Sequence, residues 1–216
     1  MTAIHIDIVS DVICPWCFIG KRRFERALKL RPDLEASVSW RAFQLNPDMP
    51  PGGMDRQQYL SLKFGGPMQA RRVYAAVEQA GASEGIDFAF ERIRRTPNTT
   101  DAHRLIRFAT MEGNAEPVVE ALFRAYFLEG RDIGDPGELV EIARTAGLEA
   151  RAAAAWLASE RGRDAVLAED RAARRAGVEG VPCFIVDGGY ALSGAQEPEF
   201  FLPLFDLAVT RPSAAV

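Results

Sequence analysis

Ser10-Asp11-Val12-Ile13-Cys14-Pro15-Trp16-Cys17-Phe18-Ile19-Gly20 is the stretch on which the reading of this chain turns. Before it, Ile4, Ile6 and Ile8 alternate with His5 and Asp7, the period-two pattern of a strand, and Ser10 and Asp11 end that pattern. From Pro15 onward the period changes. Cys17, Phe24, Ala27 and Leu28 recur at helical spacing, with Lys21, Arg22, Arg23 and Arg26 between them. Proline suits the first turn of a helix, where its missing N–H costs nothing. The two cysteines therefore stand where a strand hands over to a helix, Cys14 at the mouth and Cys17 one turn further on.

Working outward, Pro32 marks the far end of that helix. The run from Ser37 to Phe43 reads as a second strand with Val38, Trp40 and Ala42 on one face. The opening is thus a βαβ unit. Residues 46–56, rich in Pro and Gly, form a loop. A long helical stretch follows, with helices predicted from Gln57 to Lys63, from Pro67 to Ala80 with Gly81 closing it, from the Asn98-Thr99-Thr100 caps to Met111, and from Pro117 to Leu128. Asp135-Pro136-Gly137-Glu138 is a capping box, and Gly147 closes its helix. Helices over 152–158 and 162–176 complete the block. Val181 to Val186, the turn Asp187-Gly188-Gly189 and Tyr190-Ala191-Leu192 read as a β-hairpin. A last helix spans Glu197 to Val209, with a kink or a late start at Pro203. The predicted class is α/β. It is a thioredoxin-type βαβ…ββα core with a four-stranded mixed sheet and helices on both faces, built from residues 1–50 and 175–216. An all-helical insertion domain over 51–174 interrupts it.

The placement of Cys14-Pro15-Trp16-Cys17 carries the chemistry. Unpaired N–H groups and the positive end of the macrodipole favour a thiolate at a helix N-terminus, so Cys14 is expected to titrate below the free-thiol value of ~8.5. Cys17, deeper and less acidic, is expected to resolve the mixed disulfide that Cys14 forms. Pro15 withholds an N–H from the thiolate. Trp16 offers an apolar platform or cover at the mouth. A zinc site would need a second CxxC or a paired histidine, and Cys183, His5 and His103 are all distant in sequence. Two inert buried thiols are the bland alternative. With 13 prolines and roughly 5–6% of X–Pro bonds cis, less than one cis bond is expected in the chain. Pro182, at the start of the third core strand, is the choice for it. A cis bond there turns the Val181 backbone toward Cys14, where it can pair with an extended substrate as an added strand. His103, early in its helix, reads either as a proton acceptor or polar wall facing Cys14, or as a packed helix residue.

Composition narrows the function. The net charge of −4 argues against a general nucleic-acid binder. No run approaches the ~20 apolar residues of a membrane span, and no Gly-rich nucleotide loop is present. Three cysteines are too few for a disulfide framework. The start lacks the basic n-region of a secretory signal, since the first Lys or Arg is Lys21. The expected location is cytoplasmic.

The chain resembles the FrnE branch of the DsbA-like thioredoxin superfamily. The resemblance is carried by Ser10 through Arg22, by Phe43-Gln44-Leu45-Asn46-Pro47, and by Pro97-Asn98-Thr99 with Ala102-His103-Arg104-Leu105. Ala121-Leu122-Phe123 through Glu129-Gly130, Gly180-Val181-Pro182 and Ser193-Gly194-Ala195-Gln196 extend it over nearly the whole chain. It implies a thioredoxin fold with a helical insertion, and thiol–disulfide oxidoreductase or isomerase activity on protein or small-molecule thiols and disulfides. Kappa-class glutathione transferases and 2-hydroxychromene-2-carboxylate isomerases are similar in fold, typically with Ser in place of Cys14. By analogy with them, Asn46, Val181 and the Gly194–Gln196 turn lie near a bound thiol peptide, with glutathione as cosubstrate. They supply the alternative function, a glutathione-dependent isomerase or transferase acting on a small aromatic molecule; the intact cysteine pair favours disulfide chemistry. The expected site is Cys14, Cys17 and Pro182 as catalytic residues. Pro15, Trp16, Val181, Asn46 and His103 line the substrate groove, with no metal and no bound cofactor. Cys183 departs from the aromatic residue usual after the proline. It reads as a small core residue, or as a third redox thiol able to pair with Cys17 or take up glutathione.

Overall fold

Alternation places Ile4, Ile6 and Ile8 on one buried face of strand β1 (Thr2–Ser10) in the computed structural model, which describes residues 2–210. Helix α1 (Pro15–Lys29) returns the chain, and β2 (Leu34–Ala42) pairs with β1 in parallel along its whole length, Ile6 opposite Val38. Strands β5 (Cys183–Val186) and β6 (Tyr190–Ser193) complete a four-stranded sheet in the order β2-β1-β5-β6. The β1–β5 and β5–β6 pairs are antiparallel, so the sheet is mixed. The mixed four-stranded sheet and the βαβ…ββα connectivity are those of the thioredoxin-type core read from the sequence.

One face of the sheet packs on α1 and on α9 (Leu202–Thr210) through Phe24, Phe184, Phe201 and Phe205. Phe184 and Phe201 meet edge to face at 4.8 Å between ring centroids, a favoured aromatic geometry. The last helix starts late, after a single 3₁₀ turn at Pro198–Phe200, so Pro203 falls in its first turn where no amide is needed. On the opposite face Val9, Phe43 and Cys183 pack against Ala173 of α8 (Arg163–Arg175).

Between β2 and β5 lie α2 (Arg56–Phe64), α3 (Pro67–Ser83), α4 (Thr100–Met111), α5 (Ala115–Phe127), α6 (Pro136–Thr145), α7 (Ala150–Leu157) and α8. Asp135 caps α6 by accepting from the Glu138 N–H at 3.0 Å. Beyond element ends that shift by two or three residues, two features of this segment differ from the sequence reading. The 51–174 segment is not all helical: β3 (Met54–Asp55) and β4 (Arg95–Thr96) form a small antiparallel ladder. Strands of two residues carry no alternation by which a sequence could announce them. Gly81 also does not close α3, which runs on to Ser83. It is a packing position instead, because a Cβ there would stand 2.4 Å from Cε2 of Phe88.

The helical block shares one apolar cluster with the start of α1. Val12, Cys14, Cys17 and Phe18 belong to the same core as Leu105 of α4 and Leu122, Phe123 and Phe127 of α5. Phe18 stacks on Phe123 at 5.1 Å. The polar residues of α1 are not simply solvated. Lys21, 3% exposed, pairs with Glu25, Glu116 and Glu120, while Arg23 reaches Glu84 and Glu197. A buried ammonium is tolerable only with such partners, and these tie α1 to α5 and to the end of α3. No helix among the described residues is long and apolar enough to cross a membrane.

Candidate active site

Cys14 is the N-cap of α1, with Pro15 in the first turn. Two backbone hydrogen bonds shape this corner: the Cys14 N–H donates to Asp11 O, and the Cys17 N–H donates to Cys14 O, both at 3.0 Å. The corner presents one face of the helix mouth to solvent. Trp16 is exposed and Pro15 half-buried, while Cys14 and Cys17 are buried. All three cysteines carry free thiols.

Opposite the mouth, the Val181–Pro182 peptide bond is cis. The Cys14 thiol donates to the Val181 carbonyl across 3.4 Å. The Pro182 carbonyl accepts from the Gly194 N–H at 2.8 Å, which joins this loop to the 194–196 turn. Gly194 has φ +82°, a conformation that favours glycine. Arg23 of α1 donates to the Ala195 carbonyl at 2.6 Å. Gly20, one turn beyond Cys17, lets α1 approach the loop closely: a Cβ there would lie 2.7 Å from Pro182 Cγ and 3.4 Å from Phe184. A pyrrolidine ring fixed to its own backbone cannot swing aside, so Gly20→Ala must move the loop away from Cys14. Overpacking of this kind typically costs about 1–3 kcal/mol. The variant is expected to unfold at lower urea and to raise KM for a disulfide substrate; unchanged stability and KM would contradict this packing.

The two thiols sit in different surroundings. Burial first, and then the adjacent Cys14 thiol, push the Cys17 thiol well above its usual range. The Ser10 hydroxyl and the Asp11 backbone N–H face Cys17 and act in the other direction. Asp11 is fully buried. Its Oδ2 accepts from the Leu45 N–H at 2.8 Å, and its Oδ1 faces His103 Nε2 at 3.4 Å. His103 Nε2 also stands 3.2 Å from the Phe43 carbonyl. The imidazole is thus directed at Asp11 and at the exit of β2, and it is Asp11 rather than His103 that borders the dithiol. Asn46 lies 3.5 Å from the Tyr59 hydroxyl, and burial pushes the Tyr59 phenol above its usual range. Asn46, Tyr59, Met49 and Leu62 line an open cavity of about 330 Å³ beside the 45–50 loop.

The fold therefore brings Cys14, Cys17, Val181 and Pro182 together, while Asn46 pairs with Tyr59 along the cavity of the 45–50 loop. Cys183 is set apart. Successive strand residues face opposite sides, so Cys183 turns toward Val9 and Phe43 while Phe184 turns toward α1. Burial raises the Cys183 thiol, and the Ser193 hydroxyl donates to its sulfur at 3.9 Å. This surrounding fits the small core residue rather than a third redox thiol. Asp11, Gly20 and Tyr59 are site residues that the sequence reading passed over. A carboxylate three positions before Cys14, between a strand and a helix, was the available signal for Asp11. Among the described residues no cluster of three or more His, Cys, Asp or Glu side chains is arranged to hold a metal. The arrangement is suited to two-electron dithiol chemistry: one thiol at a helix mouth, a second buried beside it, and an acceptor backbone opposite.

Comparison with known proteins bears on the fold and the family. A family model described as a DSBA-like thioredoxin domain matches residues 5–205. The chain is 34% identical to a probable DsbA oxidoreductase from Streptomyces coelicolor, with a TM-score of 0.87 over 99% of this chain and 93% of that one. It is 27% identical to the uncharacterised protein YwbO of Bacillus subtilis, over 92% of this chain and 94% of that protein. The fold is also that of the cytosolic disulfide reductase DsbM from Pseudomonas aeruginosa, solved with GSH. That match has 18% identity and a TM-score of 0.64, over 96% of this chain and all of that one.

Proposed function

Because the chain belongs to the DsbA-like thioredoxin domain family, we propose that it is a thiol–disulfide oxidoreductase of the FrnE type. Cys14 is the nucleophile, Cys17 the resolving thiol, and the Val181–Pro182 loop the substrate-facing wall. The observation that carries this reading is the 3.4 Å approach of the Cys14 sulfur to the Val181 carbonyl, with Cys17 buried directly behind it.

The reaction balances without a cofactor. The Cys14 thiolate attacks one sulfur of a substrate disulfide; a Cys14–substrate disulfide forms and the other substrate sulfur leaves as a thiolate that takes up a proton. The Cys17 thiolate then attacks Cys14 Sγ and releases the second substrate thiol. The substrate has gained two electrons and the protein holds a Cys14–Cys17 disulfide. Two glutathione molecules restore the dithiol and leave as glutathione disulfide. Run backward, the same steps oxidise a dithiol, and stopping at the first permits shuffling. Trp16, exposed beside Cys14, gives the substrate an apolar seat, and Pro15 and Asn46 border it. His103 supports the groove through Asp11. We place this work in the cytoplasm, on protein or small-molecule thiols and disulfides. The likeness to a cytosolic reductase solved with GSH supports both the location and the choice of glutathione.

The test is insulin reduction with glutathione as the electron source, using the wild type, Cys14→Ser and Cys17→Ser. Turnover by the wild type that is lost in both variants is expected. An activity that requires glutathione yet survives Cys17→Ser would overturn the dithiol reading in favour of a glutathione-dependent isomerase or transferase.

A further inference from the structure

Four Lys and Arg side chains are buried among the described residues, namely Lys21, Arg23, Arg56 and Arg104. Three of them reach a carboxylate: Lys21 on Glu116, Arg23 on Glu84 and Arg104 on Asp101. Arg56, at the start of α2, has neutral partners instead. One Nη–H donates to the Thr96 hydroxyl at 3.0 Å and the other to the Tyr74 hydroxyl at 2.7 Å. The rings of Tyr59 and Tyr74 lie 5.5 and 5.6 Å from its Cζ. The Asp55 carboxylate, which caps α2, is turned to the Gln57 and Gln58 N–H groups. A buried guanidinium without a counter-charge is costly. A cation in the first turn also faces the unfavourable end of the helix dipole.

Arg56 lines a cavity of about 440 Å³, whose other walls include Leu60, Ala70, Tyr74, Phe90 and Ile93. The Tyr74 hydroxyl accepts from Arg56, which leaves its own O–H proton to donate. Tyr74 and Phe90 stack at 4.4 Å, so the wall beside these donors is flat and aromatic. Arg71, Glu78 and Glu91 also line the cavity as exposed side chains, where solvent and salt screen their charges. The buried polar groups of the wall, Arg56 and the Tyr74 hydroxyl, thus offer donors and a positive charge beside an apolar floor.

We propose that this cavity is a binding site for a small organic carboxylate with a flat apolar body. The carboxylate pairs with the Arg56 guanidinium, the geometry in which arginine binds such groups best, and accepts from Tyr74 Oη–H. The body lies against Phe90, Leu60 and Ile93. This site is separate from the dithiol and does not depend on the redox reading.

Titration calorimetry and thermal unfolding with benzoate test it, with sulfate titrated in parallel. Saturable one-to-one benzoate binding that raises Tm is expected. Tyr74→Phe keeps the ring stack and removes only the hydroxyl, and should weaken benzoate roughly tenfold, the effect of one good hydrogen bond. Arg56→Gln should abolish binding; if it fails to fold, Tyr74→Phe still decides. Absence of saturable benzoate binding at millimolar concentration, binding of sulfate alone, or unchanged benzoate affinity in Tyr74→Phe would overturn the assignment.

Discussion

Cys17→Ser protein mixed with glutathione disulfide is expected to react once and stop, with glutathione held on Cys14, whereas Cys14→Ser protein should not react at all. The asymmetry follows from position. Cys14 stands at the helix mouth, beside an exposed Trp16 and within 3.4 Å of a backbone carbonyl that faces the groove. Cys17 is 1% exposed and packed among Val12, Phe18 and the core of α4 and α5. Cys14, 5% exposed at the mouth, is met by an incoming disulfide before the deeper Cys17. A serine hydroxyl is no thiolate at neutral pH, so each substitution removes its step entirely. Intact-mass measurement of the two variants, followed by peptide mapping of the adduct, checks both outcomes. An adduct on Cys17 in the Cys14→Ser protein would reverse the assigned roles.

The second large effect concerns pH. Burial and the neighbouring Cys14 thiol both hold the Cys17 thiol well above its usual range. In the mixed disulfide Cys14 carries no proton and no charge, so its contribution drops out and burial, the largest cause, remains. Cys17 must lose its proton to resolve, and the fraction ionised rises tenfold per pH unit below its pKa. Release of the substrate from Cys14 should therefore accelerate about tenfold per unit between roughly pH 6 and 8. The sign is set by the group being an acid with a raised pKa: more alkaline solution supplies the reactive form. Stopped-flow measurement of adduct decay, separate from adduct formation, gives this slope. A decay rate independent of pH would mean that Cys17 is already ionised, against its burial.

The sequence made part of this site legible because that part is local. A strand that ends at Asp11 and a proline at the first helical position put Cys14 at an N-cap without any knowledge of the rest of the fold. Pro182 stands out in the sequence because cis bonds are rare and this proline sits at the start of the third core strand. The remainder depends on residues far apart in the chain. Gly20 matters because Pro182 and Ala195 arrive against it, and no pattern around Gly20 announces them. Asp11 looked like the end of a strand, and its role appears only when Leu45 and His103 are folded onto it. The basic positions of α1 read as a polar face, yet Lys21 is buried among three glutamates from two helices. Of the two readings of His103, facing Cys14 or packed in its helix, the fold gives the packed one, buried against Asp11 and the Phe43 carbonyl. Cys183 looked ambiguous in one dimension; strand alternation and the partner Val9 resolve it onto the face away from α1.

The central claim is that Cys14 and Cys17 form one two-electron couple and that Cys183 stands outside it. Equilibration of the wild type in glutathione buffers of graded potential, followed by alkylation and mass spectrometry of each cysteine, tests this most directly. A single Cys14–Cys17 disulfide should appear over a two-electron transition, in which a tenfold change in the equilibrium spans about 30 mV, while Cys183 stays alkylatable as a thiol throughout. Failure of that disulfide to form, or its formation with Cys183 as a partner, would contradict the account.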